Sequence, residues 1–216
     1  MRIVRLAGLL VFTAMTSTTM AVLAGGRAFV TQPLGQVFLT LWLGWWVAIA
    51  LGRQRGRASS YDRSQRGILA LGILALAAFV VLVPWEYAGF DGPLPRNGLS
   101  SWAGVGLLAA GVALQLAAFR SLRGMYTSRL GIQESHRLVT HGSYQSLRHP
   151  GYLSNVMCLG GIGLALSSLI GLGVTLLVVP LIVVRIQKEE AMLVGEFGEA
   201  YQAYQKRTSR LIPWLY

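Results

Sequence analysis

"YLSNVMCLGGIGLALSSLIGLGVTLLVVPLIVVRI", residues 152–186, decides the fold, and it carries a single charged side chain, Arg185. Its middle, "ALSSLIGLG" (165–173), leaves room for no more than a tight turn. The stretch therefore reads as a helical hairpin of two short apolar limbs, 152–169 and 171–186, that barely reaches the far surface of a bilayer. Strand-like alternation is absent and the runs are too long for barrel strands, so the polypeptide is expected to meet lipid as helices.

Working outward, four more apolar runs precede the hairpin, at about 5–24, 34–52, 68–88 and 101–119. The chain has 216 residues, of which 54% are hydrophobic and 12% charged, with a mean hydropathy of +0.54. Soluble domains carry about 25% charged residues, and a bilayer crossing takes about 20 apolar residues. The expectation is an all-α, polytopic membrane protein of about six transmembrane helices, ending in a helical hairpin and an amphipathic cytoplasmic tail helix. Residues 1–119 would hold four spans and 120–216 the functional core, within one structural unit. The pairs Gly106/Ala110, Ala109/Ala113 and Gly161/Ala165 each fall on one helix face, where backbones can approach closely. Cys158, the one cysteine, lies inside an apolar run and has a packing role.

The charges test this count. A net charge of +11 would suit nucleic acid, yet the arginines fall between apolar runs and form no basic domain, so no nucleic-acid partner is expected. With six spans and a cytoplasmic N-terminus, all of the 19 Lys and Arg residues except Arg27 and Arg96 lie on the cytoplasmic side. That asymmetry predicts both termini inside. A rival reading takes "MRIVR", an apolar stretch and "AVLA" (21–24) as a secretory signal, which would leave the other five helices in the same orientation.

Polar chemistry gathers in two segments. In "HGSYQSLRHPGY" (141–152), Pro150 pushes His149 out of the helical region and suits the first turn of a helix. Arg148 and His149 should thus sit just before a helix start, with Tyr152 in its first turn and His141 and Tyr144 close by. The helix N-terminus and Arg148 favour an anionic group there; as a plainer alternative, these residue types are ordinary interface anchors. In "VVRIQKEEAMLVGEFGEAYQAYQKR" (183–207), an apolar helix runs straight into Glu189 and Glu190. Glu190, Leu193, Phe197, Tyr201 and Tyr204 follow one helix face. A carboxylate near lipid costs roughly 2–3 kcal/mol unless partnered, either by Arg185 or Lys188 on its own helix or by the other cluster. The hairpin returns the glutamates to the surface that carries "RHPGY", and the two clusters are expected to make one site.

These residues resemble the isoprenylcysteine carboxyl methyltransferase family of integral membrane enzymes, with phospholipid N-methyltransferases as more distant relatives. The likeness rests on Arg148-His149-Pro150-x-Tyr152, a spacer of hairpin length, the Glu189-Glu190 pair, and Phe197-Gly198-x-x-Tyr201-x-x-Tyr204 followed by Arg210 and Ile212-Pro213. It covers about 120–216. The resemblance implies S-adenosylmethionine as methyl donor and an acceptor that is lipid-like or a hydrophobic small molecule, reached through the bilayer, with carboxylate O-methylation favoured. It implies a cofactor site made from His141, Tyr144, His149, Pro150, Tyr152, Glu189, Glu190 and Tyr201. Arg148, Arg185 and Glu190 are the candidates for the reacting centre. One departure stands out: the family's Gly-Pro-Tyr-Arg is Gly142-Ser143-Tyr144-Gln145 here.

Methyl transfer from a sulfonium is an in-line displacement that calls for no metal, and a carboxylate acceptor calls for no general base. His149 has no second histidine or cysteine at ligand spacing, so no metal site is expected. No Gly-x-Gly-x-x-Gly follows a strand, which argues against a soluble Rossmann-type methyltransferase. The alternatives are an NADPH-dependent membrane reductase and a non-catalytic helical membrane protein. The Glu-Glu pair and the short tail oppose the first, and the scarcity of polar residues within the spans opposes the second.

Overall fold

The computed structural model describes residues 19, 22, 25–52, 66–90, 95–122 and 138–212. The expected first run, 5–24, lies outside the described residues except for Thr19 and Val22. Among the described residues the regular elements are helical: α1 (Arg27–Thr31), α2 (Pro33–Gly52), α3 (Arg66–Gly89), α4 (Leu99–Leu122), α5 (Pro150–Ala165), α6 (Leu169–Phe197) and α7 (Glu199–Arg207), with a 3-10 turn at Gly142–Tyr144. Each of the five later apolar runs became a helix. Among the described residues, three segments are long and apolar enough to cross a membrane, Ala70–Gly89, Leu99–Leu122 and Leu169–Phe197, and Pro33–Ile49 is a shorter apolar helix. Leu71, Ile73 and Leu74 of α3 and Leu176 and Leu177 of α6 project outward unburied, as side chains do when the surrounding solvent is lipid. The chain is an integral membrane protein.

The helices pack in the spatial order α2–α4–α5–α6–α3. The α4–α5 contact is the closest, and its physical cause is missing side chains. A Cβ on Gly104 would lie 2.2 Å from Ala165 N, and one on Gly161 would lie 2.6 Å from Leu108 N. One on Gly111 would lie 2.7 Å from Cys158 Sγ. Gly161 and Ala165 thus behave as expected, whereas Gly106 and Ala110 are exposed. The buried face of α4 is Gly104, Leu108, Gly111, Gln115 and Ala118, a spacing of four and three that presents one stripe. Phe38, Trp42, Trp45 and Trp46 of α2 join Phe79 and Val83 of α3 and the α4–α5 residues in the main core.

Two features of the hairpin differ from expectation. The turn is tight: Leu166 closes α5, Ser167 takes φ 50°, and the Ser168 side chain accepts from Gly171 N at 2.8 Å. The second limb, however, is 29 residues long, about 43 Å at 1.5 Å per residue, so it is far from short. The stripe from Glu190 to Tyr204 also does not belong to one helix. Gly198 adopts φ 51° and ends α6, and α7 starts immediately after it. Only glycine holds that backbone without strain, and the break turns Tyr201 and Tyr204 inward, where both are buried.

Candidate functional site

The corner before α5 is built as the sequence dictates. His149 has φ −129° and ψ 55°, outside the helical region, and Pro150 occupies the first turn. The His149 carbonyl accepts from Tyr152 N at 3.1 Å and Leu153 N at 3.2 Å, which starts the helix. Upstream, Ser121 near the end of α4 accepts from Ser143 N at 3.2 Å. A proline at 143, as in the family pattern, has no N–H to donate. Gly142 sits at φ 62°, and a Cβ there would lie 2.3 Å from Ser121 Oγ.

Glu190 is where the two clusters meet. Its Oε1 accepts from Arg148 Nε at 2.7 Å and lies 3.3 Å from His149 Nε2. Its Oε2 accepts from Arg210 Nε at 2.9 Å and from Gln205 Nε2 at 3.4 Å. Glu190 is 3% exposed, so these charge-assisted bonds form in low dielectric, where they are strongest and where an unpaired carboxylate is costly. Arg148 is equally committed: its Nη1 donates to the Gln205 carbonyl at 2.9 Å and to the Thr208 carbonyl. Of the two partnerships open to the glutamates, Glu190 takes the one across the fold.

The tail is fastened over this pair. Arg148 N donates to Ser209 O at 2.8 Å, His149 N to Arg210 O at 3.1 Å, and Ser209 N to Ser146 O at 3.1 Å. Together these form one parallel bridge between Leu147 and Ser209. Leu211 is buried with Ile182 and Ile186, and Tyr152, Leu153 and Val156 pack against them. Tyr204 Oη donates to the Tyr144 carbonyl at 2.6 Å. Burial pushes the Tyr204 phenol up to about 12, although the Arg148 and Arg207 charges oppose it. Burial, and then the Glu190 and Glu189 charges, raise Tyr201 further.

A second polar chain runs beside the first. Arg185 Nε donates to Tyr152 Oη at 2.7 Å, and Tyr152 Oη donates to Glu189 Oε2 at 2.8 Å. The His149 and Tyr152 rings lie 5.7 Å apart. The structure thus sets two hydrogen-bonded chains side by side, Arg148, His149 and Glu190 in one and Arg185, Tyr152 and Glu189 in the other. Pro150 lies between His149 and Tyr152 in the sequence, and Tyr201 is buried near both glutamates. Tyr144 joins through its backbone carbonyl. His141 stands at the edge, exposed, before the 3-10 turn.

Sequence reasoning missed the roles of Gln205, Thr208 and Arg210 as partners of the corner. Arg210 was visible as part of the tail pattern, but no local period reveals which carboxylate it meets. Glu86 was missed altogether; it reaches from α3 to the hairpin turn.

Comparison with known proteins agrees with this architecture. Residues 104–195 match the model of the Isoprenylcysteine carboxyl methyltransferase (ICMT) family. Proteins of Oryza sativa subsp. indica and subsp. japonica, each described as a probable protein-S-isoprenylcysteine O-methyltransferase, are 26% identical over 167 residues, 76% of this chain and 84% of theirs. A solved structure of the eukaryotic intramembrane Ras methyltransferase ICMT shares the fold, with a TM-score of 0.60 and 20% identity over 94% of this chain and 74% of that one. Fold and matched segment together define an integral membrane methyltransferase. Over residues 104–195 the chain is similar to the isoprenylcysteine carboxyl methyltransferase family. The match begins inside α4, the helix against which the Arg148 corner and α5 are packed.

Proposed function

We propose that this protein transfers the methyl group of S-adenosylmethionine to a carboxylate on a hydrophobic acceptor, at the end of the bundle that carries Arg148, and that this end faces the cytoplasm. The observation that carries the reading is the joining of the Arg148–Pro150 corner to the twin glutamates through Glu190. The orientation rests on charge: Arg120, Arg148, Arg185, Lys188, Lys206, Arg207 and Arg210 belong to that end, Arg27 and Arg96 to the other.

The donor set fits a cationic, hydroxyl-bearing methyl donor. Glu189 keeps one oxygen on Tyr152 and offers a carboxylate to ammonium or ribose hydroxyl groups. The Tyr152 ring gives an aromatic face that attracts a cation. Glu189, Tyr152, His149 and Pro150 would hold the donor, with Tyr144, Tyr201 and His141 completing the wall. When bound, S-adenosylmethionine supplies an electrophilic methyl group on a sulfonium. The chain's own residues align the acceptor and exclude water, work that is worth about 7–11 kcal/mol when the geometry is right. We assign Arg185 to the acceptor carboxylate, because Tyr152 and Glu189 orient its guanidinium. Glu190 and Arg148 shape the site as a clamp whose polar atoms are already engaged. The rice relatives are named for isoprenylcysteine, so the acceptor class extends from hydrophobic small molecules to the lipid-modified end of a protein.

Calorimetry on detergent-purified protein tests this reading. Micromolar binding of S-adenosylmethionine and S-adenosylhomocysteine, about −8 kcal/mol, is expected, with none for NADPH. Glu189→Gln should weaken that binding at least tenfold at unchanged melting temperature. Binding of NADPH alone, or full affinity in Glu189→Gln, overturns the proposal or the residue assignment respectively.

A further inference from the structure

The hairpin is held at its distal turn by a residue of another helix. Glu86, one turn from the end of α3, accepts from Leu169 N at 3.1 Å through Oε1 and from Ile170 N at 3.0 Å through Oε2. Ser168 Oγ donates to the same Oε2. The other two open donors are satisfied locally, Gly171 N by Ser168 Oγ at 2.8 Å and Ser168 N by Gly163 O at 2.8 Å. All four N–H groups that a helix start leaves open are therefore filled, two of them by Glu86. The carboxylate also meets the positive end of the α6 dipole. Other contacts meet the turn as well: Val83 of α3 lies 3.1 Å from where a Gly171 Cβ would be, and Ser167 Oγ lies 3.3 Å from Ser101 Oγ, but neither reaches the N–H groups that open α6.

Glu86 has a long lever. Ile170 and Glu190 are separated by about 30 Å of helix at 1.5 Å per residue, and Pro180 lies between them. A proline inside a helix removes one backbone bond and allows a bend there. With both ends of α6 pinned, by Glu86 at the turn and by Arg148 and Arg210 at Glu190, the direction of the segment bearing Arg185 and Glu189 is fixed. With the turn released and Glu190 still held, α6 pivots about Glu190, and a tilt of about 8° displaces Arg185, five residues or about 7.5 Å along the helix, by about an ångström. A misplacement of that size costs on the order of 100-fold in rate.

We propose that Glu86 is a positioning residue for methyl transfer, acting from the opposite end of the bundle by fixing the angle of α6. This rests on the functional reading above. The test compares wild type with Glu86→Ala and Glu86→Gln in nanodiscs, using an S-isoprenylcysteine with a free carboxylate as acceptor. It adds spin labels on Arg120→Cys and Glu196→Cys, in a Cys158→Ala background, to read the α4–α6 separation. Glu86→Ala should lower kcat about 10- to 100-fold with less than threefold change in acceptor KM, and should broaden the distance distribution. Glu86→Gln, which keeps an acceptor oxygen for the turn, should recover most of both. Wild-type kcat in Glu86→Ala, or an unchanged distance distribution, overturns the proposal. If wild type itself transfers no methyl group, the functional reading fails, while the spin-label distances still decide whether Glu86 sets the angle of α6.

Discussion

Removal of the Glu190 carboxylate is the sharpest test of the clamp. The Arg148 side chain is 9% exposed and that of Glu190 4%, so Glu190→Ala leaves a guanidinium in low dielectric without its counter-charge. Breaking a buried pair by removing one partner costs about 3–5 kcal/mol. Arg148 retains the Gln205 and Thr208 carbonyls, which argues for the lower end, about 3 kcal/mol. For a chain of this size that lowers the melting temperature by roughly 6–12 °C. Arg210, whose side chain is 33% exposed, can rehydrate, and Arg210→Ala should cost no more than about 1 kcal/mol. Thermal unfolding in detergent, followed by tryptophan fluorescence, reads these differences. A cycle with Arg148→Met should give a coupling of about 2 kcal/mol, within the span seen for contacting residues. If Glu190→Ala melts within about 1 °C of wild type, or if the two losses simply add, the corner is not held by this pair.

Two further outcomes follow from geometry. At Gly161 an added methyl meets the Leu108 backbone at 2.6 Å, whereas at Gly106 it meets nothing within 4 Å. Gly161→Ala should therefore destabilise by about 1–3 kcal/mol, and Gly106→Ala should be neutral or stabilising by up to about 1 kcal/mol, as compared by melting temperature. Tyr204 is raised by burial to about 12, so the folded protein holds the phenol proton more tightly than the unfolded chain does. Its contribution is complete below about pH 10, the ordinary tyrosine value, and is lost as pH rises through about 12. Tyrosinate absorbance should show this late step, and Tyr204→Phe should remove it; an unchanged titration curve in that variant refutes the assignment.

The fold was legible where physics is local. Apolar runs gave the helices, and Pro150 marked the start of α5 because a proline constrains its own backbone and its neighbour's. The meeting of Arg148 with Glu190 was also foreseeable, since a hairpin must return its second limb to the face it left. What escaped was of two kinds. Gly198 breaks the α6–α7 stripe, yet the tyrosines keep their helical spacing across it, so periodicity concealed the bend. The partners of Glu86 and Arg210 lie more than eighty residues away in one case and twenty in the other. Neither pairing leaves a repeat in the sequence. On α4 the small residues were too numerous for spacing alone to tell the packed stripe, Gly104 and Gly111, from the exposed one.

The fastening of Ser209 and Arg210 across residues 146–149 has a consequence for biosynthesis. Arg148 waits some sixty residues for the carbonyl of Thr208, so its seat does not exist until residues 205–210 have been made. The corner leaves the ribosome as an unsupported cation and is neutralised by Glu190 once α6 inserts. It closes only when residues 205–210 emerge. Tags or truncations that disturb residues 205–211 should therefore act as assembly defects, yielding a chain that inserts normally and never matures.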